Sequence, residues 1–189
     1  MFVVPYEVVD GVYQGAVVPM PGVGFRSSAM RARFRPADGQ LYVCGLRGWQ
    51  TTAQVSGALH RVRFTGMPLY LATGFHVEPA GVRIGFSQPL DREIAADAGR
   101  YQVHQWNYRW TDSYGSRDYS VQDPDKEGRD PVEISAVQAS EDGRSVLLEL
   151  PGLQPVMQLQ IQADRVAVDG HPLRAELYGT INVVPGATR

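Results

Sequence analysis

Cysteine occurs once in the 189 residues, as Cys44, which excludes an internal disulfide, a cysteine-rich zinc site and the C-x-x-C-H attachment of a c-type haem. Lysine also occurs once, as Lys126, beside 17 arginines, a bias that a G+C-rich genome accounts for. No run approaches the ~20 apolar residues of a membrane-spanning helix, so no membrane span is expected. The opening Met1 to Asp10, MFVVPYEVVD, has neither a basic n-region nor a usable apolar core, and no export signal is expected in this chain. The 18 basic and 20 acidic residues leave a formal charge of −2, which gives no electrostatic reason to expect nucleic acid or an anionic membrane as partner. G-x-S-x-G, a phosphate-binding glycine loop and closely spaced histidine pairs are all missing, and with them the usual signals of a hydrolase, a nucleotide site or a local metal site.

Turn formers and strand formers are plentiful. There are 20 glycines, 13 prolines, 23 valines and 18 aromatic residues, which points to an all-β chain of short strands joined by tight turns. Charge divides near Pro68: residues 1–68 carry seven arginines against Glu7, Asp10 and Asp38 (+4), and residues 69–189 are at −6. Two units are expected on that boundary. In the first, Gly15–Pro19, Met30–Phe34, Gln40–Gly45 and Gly57–Phe64 read as four short strands of one blade-like sheet. In the second, Val82–Phe86, Tyr101–Trp110, Val132–Ala139, Ser145–Leu150, Met157–Ala163 and Glu176–Val184 have the spacing of an immunoglobulin-like β-sandwich. Asp91 is placed to cap a short helix, and Glu141 to Arg144 reads as a hairpin turn.

The segments Asp38-Gly39-Gln40-Leu41-Tyr42-Val43 and Gly57-Ala58-Leu59-His60-Arg61-Val62 resemble the closing blade of sugar-dehydrogenase-like β-propellers. The series from Gln105-Trp106-Asn107-Tyr108-Arg109-Trp110 through Tyr114-Gly115-Ser116 to Gly128-Arg129-Asp130-Pro131-Val132 resembles the region that follows the propeller in haem-binding, membrane-bound-dehydrogenase-like proteins of planctomycetes and verrucomicrobia. The resemblance implies a partial propeller blade over residues 1–68, a sandwich over 69–189, and a C-terminal fragment of a larger protein. That protein would be periplasmic, extracellular or membrane-associated, oxidising a sugar or alcohol with a quinone and passing electrons to haem c. On this reading the chain itself is non-catalytic, without cofactor, and docks onto the rest of the propeller in cis or on a partner chain.

Three groups of residues are candidates for function. Trp106, Tyr108 and Trp110 alternate, so a continuous strand puts them on one face, either as core and domain contact or as a platform for sugar rings. The latter defines the alternative reading, a carbohydrate-binding module. Arg47 and Trp49 lie in a loop between two blade strands, where a propeller lines its funnel; packing between blades is the other reading. Asp123, Asp125, Glu127 and Asp130 follow half of a calcium-loop pattern, but Ile134 stands at the twelfth position where a bidentate Glu is required, so a solvated acidic loop is the competing expectation. His60 and His104 lie on predicted strands beside polar residues, and a hydrogen-bonded strand histidine accounts for each.

Overall fold

The computed structural model describes residues 1–48, 51–112 and 114–186. The strands among them are β1 (Phe2–Val3), β2 (Tyr6–Val9), β3 (Val12–Pro19), β4 (Arg31–Phe34), β5 (Leu41–Leu46), β6 (Gly57–Val62), β7 (Ala72–Glu78) and β8 (Gly81–Phe86). A single helical turn, α1 (Arg92–Ala95), and a 3-10 turn, Ala98–Arg100, precede β9 (Tyr101–Trp106). Then come β10 (Asp130–Pro131), β11 (Ala136–Ala139), β12 (Ser145–Glu149), β13 (Val156–Val166) and β14 (Pro172–Ile181). The chain is all-β, as its composition implies. No helix among the described residues is long and apolar enough to cross a membrane.

The strands form two compact units, residues 21–68 and residues 2–20 with 69 onward. The larger is a two-sheet sandwich. One sheet has the order β1-β3-β14-β13-β9-β10, with β2 also on β3; the other runs β11-β12-β8-β7, and every pairing is antiparallel. Alternation sets the core: Val82, Ile84 and Phe86 from β8, Val146 and Leu148 from β12, and Leu159 and Ile161 from β13 meet in one buried cluster. Phe75 sits against the backbone of the opposite sheet, where a Cβ on Gly179 would come within 2.7 Å of its ring. Only glycine permits that approach. Arg165 is also fully buried, with its guanidinium 3.0 Å over the Tyr101 ring, and burial holds its pKa below the ordinary arginine value.

Three expectations are corrected. Gly15–Pro19 belongs to β3, which pairs with β14 through Tyr178 and Val17 and contributes Ala16 and Val18 to the sandwich core. The smaller unit therefore begins after residue 20 and keeps a three-stranded sheet, β4-β5-β6. Tyr101–Trp110 is not one strand, because β9 stops at Trp106. Val132–Ala139 divides between the two sheets, with Val132 still donating to Val103 O at 2.9 Å while β11 pairs with β12. The Asp91 cap is present: its Oδ1 accepts from Ile94 N at 3.0 Å.

Candidate functional site

The segment from Asn107 to Arg129 leaves the sheet at the end of β9 and returns at β10. Trp106 makes the last pairing with β13, opposite Gln158, next to a register shift in β13 between Val156 and Leu159. Asn107 turns away: its backbone exchanges two 2.8 Å hydrogen bonds with Tyr119, and its Oδ1 accepts from Met157 N at 2.9 Å. The alternating aromatic pattern thus continues past the point where the strand ends.

Arginines fasten the segment. Arg129 lies 3.8 Å over the Trp106 ring, donates from Nε to Asp118 at 2.7 Å and from Nη1 to Gln160 Oε1 at 3.2 Å. Arg109 lies 4.1 Å over Tyr119 and donates to Asp125 Oδ1 at 2.8 Å, and Arg117 holds both oxygens of Glu127 at 2.8 and 2.6 Å. Asp130 Oδ2 accepts from Ser120 Oγ, Val121 N and Gln122 N at 3.0, 2.6 and 3.0 Å. Partial burial raises the Asp130 pKa, but hydrogen bonds from Ser120, Gln122 and Val121 outweigh it and hold the carboxyl below its ordinary value.

That bonding sets where the four carboxylates of the calcium-loop pattern lie. Asp125 turns to Arg109, Glu127 to Arg117 and Asp130 to a backbone turn, while Asp123 Oδ1 accepts from Asp125 N at 3.3 Å. The four carboxylates do not converge, and among the described residues no group of three or more His, Cys, Asp or Glu side chains is arranged to hold a metal ion.

The aromatic stripe is redistributed. Trp106 lies on the outer face of its sheet and is buried beneath Arg129, while Tyr108 is partly exposed and Trp110 is 98% exposed. A third ring joins them: Tyr114, 99% exposed. Tyr108, Trp110 and Tyr114 border a shallow depression of about 490 Å³ whose other lining includes Arg109, Thr111, Asp112 and Ser116. Its floor is held by Arg109 N donating to Ser116 Oγ at 2.9 Å and Ser116 Oγ donating to Arg117 O at 2.7 Å. Tyr114, Asp112 and Ser116 are site residues that period-2 reasoning misses. The signal that marks them is the dense run of turn formers and aromatics between Trp110 and Ser116, with Gly115 at φ +80°.

The remaining candidates stand apart. Arg47 is exposed and its backbone N donates to Ser56 O at 2.8 Å; Trp49 lies outside the described residues. His60 Nε2 accepts from Arg26 N at 3.1 Å, and His104 sits half-buried on β9 opposite Gln160. Neither histidine has a nucleophile or a second metal ligand bonded to it among the described residues. No family model matches the chain, and no match was found among the curated proteins or the solved structures.

Proposed function

We propose that the chain is a non-catalytic binding module whose sandwich presents the Tyr108, Trp110 and Tyr114 rings to carbohydrate. The observation that carries this reading is an indole and a phenol exposed at 98% and 99% on one arginine-fastened segment. Leaving two large rings in water forgoes on the order of 2 kcal/mol each in burial, which a ligand that covers them recovers. Their neighbours favour sugar over peptide or lipid. Thr111 and Asp112 offer hydroxyl-matching donors and acceptors, and no Leu, Ile or Val stands among the described residues that line the depression. Pull-down on insoluble polysaccharides and calorimetry with soluble oligosaccharides test it. Trp110→Ala and Tyr114→Ala are each expected to weaken binding about tenfold without lowering the melting temperature.

A second reading is supported by the resemblance to the propeller-bearing dehydrogenase-like proteins: the chain as the docking end of an exported quinoprotein-like enzyme. The observation that favours it is the three-stranded sheet, where Val43 is the one buried hydrophobic side chain while Phe34 on the same face stays largely exposed. A sheet with so little core gains from a covering surface on that face. Under this reading tryptophan emission is unmoved by every glycan, and the chain alone gives no dye reduction with added quinone and calcium.

A further inference from the structure

We infer that the other face of the three-stranded sheet is a binding surface for an acidic polysaccharide. Charge is the first ground. Residues 21–68 contain seven arginines and one acidic residue, Asp38, a formal +6, so the chain's −2 leaves −8 on the larger unit. The whole-chain charge conceals this separation, because Glu7 and Asp10 belong by contact to the sandwich.

Register places three of the seven arginines on one face. Across the three strands Arg31 stands opposite Cys44 and then Leu59, and Arg33 opposite Tyr42 and then Arg61. The other face takes Ala32, Val43, His60, Leu41 and Val62. Arg31, Arg33 and Arg61 are all exposed, spaced about 7 Å along a strand and about 10 Å across the sheet. Among the described residues the unit's single ion pair is Arg35 with Asp38. Arg31 and Arg33 instead donate to their own neighbours' carbonyls, Met30 O at 2.8 Å and Ala32 O at 2.7 Å. A planar guanidinium with donors to spare binds carboxylate and sulfate in pairs, which suits a polymer carrying such a group on each sugar.

The same face argues against single-stranded nucleic acid. That ligand needs several free aromatic rings to stack bases on, and among the described strand residues this face carries one, the half-buried Tyr42. The choice of a sugar polymer rests on the carbohydrate reading of the Tyr108–Tyr114 segment; the choice of an anionic one rests on the arginines alone.

The test is retention of the full chain on immobilised polygalacturonate, with a neutral glucan and polyuridylate as competitors and a salt gradient for elution. The Arg31→Glu/Arg33→Glu/Arg61→Glu variant, all exposed positions, is compared with Trp110→Ala/Tyr114→Ala, each checked by melting temperature. The expected result is salt-sensitive retention that the triple variant weakens about tenfold or more and the aromatic variant leaves salt-sensitive. Retention lost in the aromatic variant but kept in the triple variant would overturn the arginine face while sparing the carbohydrate reading; salt-sensitive retention without neutral-glycan binding would do the reverse. Stronger competition by polyuridylate than by free polygalacturonate would assign the face to nucleic acid instead. A salt-sensitive dimer that the triple variant dissolves would assign it to the acidic sandwich of a second copy.

Discussion

Glycine 179 shows how one side chain sets the spacing of the sandwich. Its missing Cβ leaves room for the Phe75 ring at a distance where a methyl carbon cannot sit, and Phe75 is fully buried. Gly179→Ala is expected to cost about 1–3 kcal/mol through overpacking, read as a lower urea midpoint with an unchanged slope. Asp130 acts on the segment that carries the rings. Its folded pKa lies below the ordinary value, so deprotonation favours the folded segment. The contribution is complete above an unfolded pKa of ~3.9 and is lost as pH falls through the lower folded value. Hydrogen exchange at Val121 and Gln122 is expected to accelerate over that acid range, and Asp130→Asn to accelerate it already at neutral pH, by about 1 kcal/mol of lost protection. Equal protection in the variant would show that the turn holds itself.

At the scale of elements, the legible parts were those whose pattern is local. Val82–Phe86 alternates and forms β8; Asp91 precedes a helical turn and caps it; Gly57–Val62 alternates exposed and half-buried as a one-sided strand should. The end of β9 was illegible, because Trp106-Asn107-Tyr108-Arg109-Trp110 keeps the strand period while the structure breaks it. What stops the strand is Tyr119, 12 residues on, pairing with Asn107, together with the register shift in β13. At the half calcium motif, too, spacing says nothing about Arg109 and Arg117, which pair with two of its carboxylates. β7, with Gly74 inside Ala72–Glu78, and the short β1 and β2 gave too little periodicity to be found. Arg129 joins segment to sheet over Trp106, and Arg129→Ala is expected to red-shift the Trp106 emission and expose it to acrylamide in a Trp49→Phe/Trp110→Phe background. Unchanged quenching would place the anchor in contacts that Arg129 does not make, the Asp130 turn and the Asn107–Tyr119 pairing.

For the whole molecule, the boundary near Pro68 was visible as a change in charge, but the return of residues 2–20 to the sandwich was not. It depends on the pairing of β3 with β14 across more than 150 residues of chain. Moving those residues sharpens the charge contrast between the units and leaves the smaller one with little buried apolar surface. The larger unit is a conventional two-layer sandwich whose distinctive surface is the Tyr108 to Ser116 depression, and its rings carry the functional claim. The decisive measurement is a calorimetric titration of soluble oligosaccharides into the full chain and into Trp110→Ala. Saturable binding that Trp110→Ala weakens about tenfold at an unchanged melting temperature is the predicted result. Binding of equal strength in the two proteins, or no heat with neutral or acidic oligosaccharides, would contradict a carbohydrate role for this segment.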